Sequence, residues 1–280
     1  MLHSDPSKRQ YSYSALSQWL VCQRKYYWGY VQGIIPDVPA PALHFGQAIH
    51  AGLATWFDSQ DVEQMVQTYL KGMEGAPADT LRTPGKGEVI LRKYVKQWPQ
   101  EPFKILANEV EFEEQMWDGS TLIGRVDRVI EWDGRILVKE TKTTSGGIGD
   151  YYFRQFSPNL QIDIECYAVM KRWGHCEGAL IDAVQVCKTK EGYAREVQDR
   201  TPADMERFCQ RYGRIVHDIE EAAKDGLRDV YLQNQMMCTY YGECPYRKLC
   251  LYNNDALIEG HYKKRVTEEV PHDPAATDGV

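Results

Sequence analysis

The sequence contains no uninterrupted apolar stretch near the ~20 residues that a membrane-spanning helix requires, and its first ten residues are polar, without the apolar segment of a secretory leader. Both absences lead us to expect a cytoplasmic chain with no membrane partner. An excess of basic residues is also missing: 33 Lys and Arg stand against 40 Asp and Glu, a formal net charge of −7 at pH 7. That balance argues against polyanion binding by the whole surface and leaves room for a local basic groove. No internal repeat is visible. With 43% hydrophobic and 26% charged residues, the bulk of the chain is ordinary globular material. Its 280 residues allow one large α/β domain or two small ones. In a reducing compartment the eight cysteines do not form a disulfide framework, so their spacing must distinguish packing from metal binding.

Ser14 is placed to cap a first helix with Leu16, Trp19, Leu20, Cys22 and Tyr26 or Tyr27 at near-helical spacing. A Pro-rich link over 35–41 leads to a helical stretch with Phe45, Ile49, Leu53 and Trp56 on one face, then Val62, Met65, Tyr69 and Leu70 on another. Beyond a loop at 75–87, helical character resumes through Val89, Tyr94 and Trp98 until Pro99 stops it. The period then falls to two. Leu106, Asn108, Val110 and Phe112 alternate with Ala107, Glu109, Glu111 and Glu113, as in a half-buried strand with one solvated face. Residues 121–131 and 135–141 read as two more strands, joined by Asp133-Gly134, the dipeptide a type I′ hairpin turn prefers. A Gly-rich aromatic loop (145–158), a helix (159–173) and strands at 179–188 and 193–198 follow. Thr201-Pro202-Ala203-Asp204 opens a helix that buries Met205, Phe208, Tyr212, Ile215 and Ile219 and ends near Gly226. The acidic segment from Val266 is expected to be disordered. The layout is α/β, a sheet with an interposed helix and a mostly helical flank.

Chemistry concentrates on the hairpin. If Asp133-Gly134 is the two-residue loop, Trp132 pairs with Arg135, and counting back sets Asp127 opposite Glu140, with Lys142 two residues on and on the same face. Opposed carboxylates repel, a cost tolerated when a divalent cation with hard oxygen ligands, Mg²⁺ or Mn²⁺, lies between them. The Thr141 carbonyl is a natural further ligand, and Lys142 supplies a charge suited to a phosphate in its transition state. The bland alternative is a solvated hairpin whose Asp127, Glu140, Arg125 and Lys142 form surface ion pairs.

Gly124-Arg-Val-Asp127 followed by Glu140-Thr-Lys142 resembles the Asp and Glu-x-Lys motifs of the PD-(D/E)XK nucleases, in their RecB-like branch. Gly46-Gln-Ala-Ile-His50 is similar to the Gly-x-x-x-His motif that this branch carries on an upstream helix. The resemblance implies a restriction-endonuclease-like central mixed sheet flanked by helices. It implies one domain over 1–265, helical over 11–100, with the sheet core at 104–200 and the C-terminal helix and Cys segment at 201–252. It also implies catalytic Asp127, Glu140 and Lys142, with His50, Asp127, Glu140 and Thr141 around a metal. Glu109 falls where some members have another acid. The branch has a Gln-x-x-x-Tyr helix after the lysine. Here Tyr167 fits, the position four before it is Asp163, and Gln161 lies six before, off the face of Tyr167.

Cys238, Cys244 and Cys250 form Cys-x5-Cys-x5-Cys, and Cys22 resembles the N-terminal cysteine of iron–sulfur members of this branch. The implied cofactor is a [4Fe–4S] cluster, with zinc as the alternative, tying the helical flank together from the two ends of the chain. Cys166, Cys176, Cys187 and Cys209 read as small buried hydrophobes. The resemblance spans 11–252 and implies a Mg²⁺- or Mn²⁺-dependent deoxyribonuclease. It would be an exonuclease acting on single-stranded DNA or DNA ends, with recombination or replication proteins as possible partners, in recombination, repair or phage replication. Arg24, Lys25, Arg154, Tyr26, Tyr27, Tyr151, Tyr152 and Phe153 are candidates for gripping a strand. A noncatalytic nucleic-acid-binding module and a structure-specific endonuclease are the competing readings.

Overall fold

A computed structural model describes residues 4–189, 191–240, 242–252 and 255–265 of the chain; the acidic segment expected to be disordered lies outside the described residues. Strand β1 (Gln10–Ser12) runs into helix α1 (Tyr13–Val21), whose cap is Ser12 and not Ser14, because Ser12 has extended backbone and its hydroxyl accepts from the Ala15 amide. The expected first helix is interrupted. Cys22 is extended (φ −166°), so the chain restarts as α2 (Gln23–Tyr26) and passes through a π-helical turn (Tyr27–Val31) to β2 (Ile34–Pro36).

Helices α3 (Pro41–Ser59), α4 (Val62–Gly72) and α5 (Pro84–Gln97) follow, α3 and α5 opening on proline, α4 capped by Asp61 and α5 by Thr83. The long strands β3 (Lys104–Gln115), β4 (Thr121–Trp132) and β5 (Arg135–Thr144) come next. Then come α6 (Asp150–Phe153), α7 (Leu160–Trp173), β6 (Gly178–Gln185), β7 (Gly192–Asp199) and α8 (Pro202–Asp225). Short α9 (Arg247–Tyr252) and β8 (Tyr262–Lys264) complete the described elements. β6 is shorter than the strand read at 179–188. The capping box of α8 forms as read, Thr201 and Asp204 bonding reciprocally.

The sheet is mixed, in the order β1-β4-β5-β6-β7, with β3 also on β4; β1/β4 and β5/β6 are parallel, the other pairs antiparallel. The hairpin turn has Asp133 and Gly134 at φ 51° and 75°, and its ladder runs from Trp132↔Arg135 to Val129↔Val138 in the register counted from the sequence. β3 occupies one edge of β4 from Thr121 to Glu131, so β1 (on 121–123) and β5 (on 129–132) must share the other edge. Between them residues 124–128 have no ladder partner on that edge among the described residues.

Helices cover both faces. Val126, Val129, Val138 and Ile181 join α1, α7 and α8 in the larger core, whereas Val184 and Val186 pack with α3, α4 and α5. Each fully buried aliphatic or aromatic side chain on the α8 stripe stabilises by about 1.5–3 kcal/mol. The segment after α8 docks on the interruption at Cys22: the Arg24 amide donates to Leu232 O (3.1 Å), the Leu232 amide to Gln23 Oε1 (3.0 Å), and Asn234 Nδ2 to Val21 O (2.9 Å). Among the described residues no helix is long and apolar enough to cross a membrane.

Candidate active site

The unpaired stretch of β4 carries Asp127, and its side chain takes over part of the missing ladder: the Thr141 amide of β5 donates to Asp127 Oδ2 (3.1 Å). At this level the neighbouring backbone is irregular as well. Glu109 on β3 adopts φ 50°, a left-handed conformation uncommon for a non-glycine residue and typical of functional sites. Strict alternation also lapses in β4, where Val126 and Val129, three residues apart, both reach the same core.

From the other side of the sheet, α3 brings His50. A Cβ on Gly46, one helical turn earlier, would stand 3.3 Å from Thr143 Oγ1, so the glycine lets the helix lie close to β5. His50 Nδ1 stands 3.2 and 3.1 Å from the two oxygens of Asp127. A carboxylate can only accept, so Nδ1 carries the proton, leaving the Nε2 lone pair of a neutral ring for another partner. On β5, Lys142 Nζ lies 2.7 Å from Glu140 Oε1 and donates to Gln161 Oε1 (2.7 Å). Gln161 Nε2 in turn donates to Glu140 Oε1 and Glu165 Oε1, each at 2.8 Å.

Burial dominates the electrostatics. It would push the Asp127 carboxyl up, but His50, Arg128 and the Thr141 amide hold it well below the usual carboxylate range. Burial likewise opposes the charge of His50, yet Asp127 overrides it and moves the imidazole pKa up from its usual value. The Glu140 carboxyl is raised by desolvation and then by Asp127, and that of Glu165 is raised well above its usual value by desolvation and then Glu140. Lys142 moves up in spite of its desolvation, because Glu140 and Glu165 surround it. Among the described residues, the buried Oε1 of Glu109 and Oε2 of Glu165 have no hydrogen-bond partner.

The structure thus gathers His50, Asp127, Glu140, Thr141, Lys142 and Gln161. Gln161 is there although it does not share a face with Tyr167, which points away and packs on Phe208 (ring centroids 5.3 Å apart). Glu109 is beside the group, paired with Arg125 at 2.9 Å, and so departs from the solvated face read for it. Sequence reasoning missed Glu165, although an acid four residues after Gln161 on a largely buried helix was a usable signal. It also missed the buried network beneath the opposite face of the hairpin. There Asp182 Oδ2 holds Lys139 Nζ (2.5 Å), the Tyr94 hydroxyl (2.5 Å) and Arg195 (3.1 Å). Arg128, fully buried, lies 4.4 Å over the Phe57 ring and donates to Thr141 Oγ1 (3.2 Å). Among the candidate strand contacts, Arg24 is buried against Asp229, and Tyr26 and Phe153 are in the core, so none of the three can grip a strand; Tyr151 is exposed.

Around the docked C-terminal segment, Cys244 feels the charges of Cys22 and Cys238, and Cys250 those of Cys244 and Cys22. The Cys244 amide donates to Cys238 O (2.9 Å), and the Asn234 amide lies 3.4 Å from Cys22 Sγ. Cys166 is buried as expected, while Cys176, Cys187 and Cys209 are only half-buried. Among the described residues no three His, Cys, Asp or Glu side chains are already closed into a metal-binding group. The donor chemistry nevertheless suits two different metals: the hard carboxylate oxygens of Asp127 and Glu140 at the hairpin, with unpartnered buried oxygens of Glu109 and Glu165 on neighbouring elements, and four thiols at the flank.

Residues 10–251 match the model of a family described as the PD-(D/E)XK nuclease superfamily. None of the curated protein sequences is significantly similar. Among solved structures, a candidate exonuclease from Eubacterium rectale superposes with a TM-score of 0.52 at 12% identity, covering 83% of this chain and 87% of its own. At that identity the likeness speaks for the fold alone. The crystal structure of SSO0001 (TM-score 0.27, 11% identity, 70% of this chain and 82% of its own) carries no argument.

Proposed function

The chain belongs to the PD-(D/E)XK nuclease superfamily, and from that membership we propose that it is a metal-dependent deoxyribonuclease. Within the superfamily we place it with the RecB-like exonucleases, acting in the cytoplasm on single-stranded DNA or DNA ends during recombination, repair or phage replication. The observation that carries the reading is the convergence of His50 and Asp127 with Lys142, Glu140 and Gln161 on the unpaired stretch of β4.

Members of this superfamily usually use Mg²⁺ or Mn²⁺. Here Asp127, Glu140, the Thr141 carbonyl and Nε2 of His50 would hold the ion, which when bound polarises a water and the phosphate oxygens. The remaining work falls to the chain. The Thr141 amide fixes one oxygen of Asp127. Lys142, kept cationic by Glu140 and oriented by Gln161, offsets charge gathering on the phosphate. Incubating the protein with Mn²⁺ and end-labelled single-stranded DNA tests the reading: cleavage by the wild type should fall at least ~100-fold in Asp127→Ala. Equal cleavage by both proteins would overturn it.

We also propose that the four flank cysteines hold a [4Fe–4S] cluster, with zinc as the alternative, in a structural role. The electrostatic contact of Cys244 with Cys22 and Cys238, and of Cys250 with Cys22 and Cys244, supports this, and no step of hydrolysis passes through them. Iron, sulfide and zinc analysis of anaerobically purified protein decides between the two, and metal-free protein as stable as the loaded form would dismiss both.

A further inference from the structure

Over 124–128 no ladder among the described residues ties β4 to the edge it shares with β1 and β5. Side chains make the tie to β5 instead. Asp127 accepts from the Thr141 amide, and the next residue, Arg128, donates from Nη1 to the hydroxyl of the same threonine (3.2 Å). The peptide from Asp127 to Arg128 closes these two contacts into a ring that bridges the gap. Successive residues of a regular strand point to opposite faces, yet α3 meets both of these. His50 stands at Asp127, and Phe57, two turns further along the same helix, lies with its ring 4.4 Å from the Arg128 guanidinium.

A guanidinium is an unusual group for this place. Arg128 is fully buried; among the described residues its Nε and Nη2 have no hydrogen-bond partner and no carboxylate accepts from it. Lys139, the other cation against the Phe57 ring (4.7 Å), has Asp182 as its anion. A buried cation with unmet donors carries a heavy desolvation penalty, and an apolar side chain of similar volume would pack on Phe57 without it. Stability alone therefore does not account for Arg128. We propose that Arg128 is a positioning residue: seated on Phe57, it clamps the Thr141 side chain, so that the Thr141 amide keeps Asp127 in place and the Thr141 carbonyl faces the ion. This inference rests on the nuclease reading above and adds to it the residue that sets the geometry of the ion's ligands where the ladder is missing.

Calorimetric titration of the full chain with Mn²⁺, without DNA, alongside thermal denaturation, tests the proposal. Arg128→Met and Thr141→Val should each weaken Mn²⁺ binding about tenfold, the low end of what groups that orient metal ligands contribute. The sign is diagnostic, because removing a positive charge near a cation site tightens the cation by electrostatics alone. Thr141→Ser, which restores the hydroxyl, should recover binding to within about threefold of wild type, and the double variant Arg128→Met/Thr141→Val should bind no more weakly than either single one, as expected of two groups acting through one contact. Unchanged or tighter Mn²⁺ binding in Arg128→Met, whatever its Tm, would overturn the positioning role, as would a loss of about a hundredfold in the double variant. If Arg128→Met does not fold, Thr141→Val against Thr141→Ser decides, and equal affinities in those two overturn the proposal. Wild-type protein that binds Mn²⁺ and cuts DNA while the variants bind Mn²⁺ equally well leaves the nuclease reading standing and removes Arg128 alone; wild-type protein that does neither removes both.

Discussion

Gln161 touches Lys142, Glu140 and Glu165 at 2.7–2.8 Å, so Gln161→Leu probes how much the arrangement depends on one neutral amide. Lys142 and Glu140 keep each other after the change, at 2.7 Å. Glu165 does not fare as well: its Oε2 already lacks a partner, and the substitution strips Oε1 too. The stability cost is therefore that of one bare buried carboxyl, about 2–3 kcal/mol, with the other lost bonds partly offset by the buried leucine. At roughly 2–4 °C per kcal/mol for a chain approaching this size, Tm should drop by about 5–10 °C. Lys142 retains its charge but loses its second anchor, so kcat on single-stranded DNA should fall about 10–100-fold while KM stays within about threefold. Thermal denaturation followed by circular dichroism and steady-state cleavage measured well below Tm separate the two effects. A lowered Tm with wild-type kcat would refute the orienting role, and an unchanged Tm would refute the buried-carboxyl argument.

The network under the hairpin gives a pure stability prediction. Asp182→Asn should cost about 3–5 kcal/mol in urea denaturation, because Lys139 is left buried without its anion while Arg195 keeps Glu101; a loss under about 1 kcal/mol would contradict this. Desolvation lowers the Lys139 pKa from 10.5 to about 8 in spite of Asp182. The folded state then binds fewer protons than the unfolded state between those values, so Lys139 makes stability rise with pH from about 8 to 10.5. Lys139→Met should lack that rise, and identical pH profiles for the two proteins would exclude it. His50→Ala should lower cleavage with Mg²⁺ more than with Mn²⁺, which accepts nitrogen more readily; equal rates in wild type and variant with both ions would remove His50 from the site.

What could be read beforehand was local. The period-two runs and Asp133-Gly134 set the hairpin register, and the cap, proline and acid at Thr201–Asp204 set the start of α8. The gap in the edge of β4 was not legible, because it exists only where the three-residue β1 stops short of β5, and a strand that short carries no pattern. Glu109 was misread for a related reason: alternation assumes β-region dihedrals throughout, and this residue sits at φ 50° beside a register shift in β3. The Asp182 network draws on α5, β5, β6 and β7, whose charges look solvated until those elements are assembled. Counting helix faces from Tyr167 hid Gln161, because the first turn of α7 meets the hairpin while Tyr167, further along, faces α8.

The docking of residues 231–234 on α1 and α2 sets a schedule for synthesis. Arg24 is buried, and its side chain is satisfied by Tyr231 O and Asp229, more than 200 residues downstream. At a ribosomal rate of ~5–20 residues per second, roughly 10–40 seconds separate the emergence of that arginine from the emergence of its partners. During that interval the guanidinium lacks its buried partners, and Trp19 lacks the Tyr231 ring it meets at 6.0 Å. A nascent chain arrested before residue 229 should accordingly expose this aromatic face to chaperones and proteases, and the helices α1 and α2 should become protease-resistant only when residues 229–234 arrive.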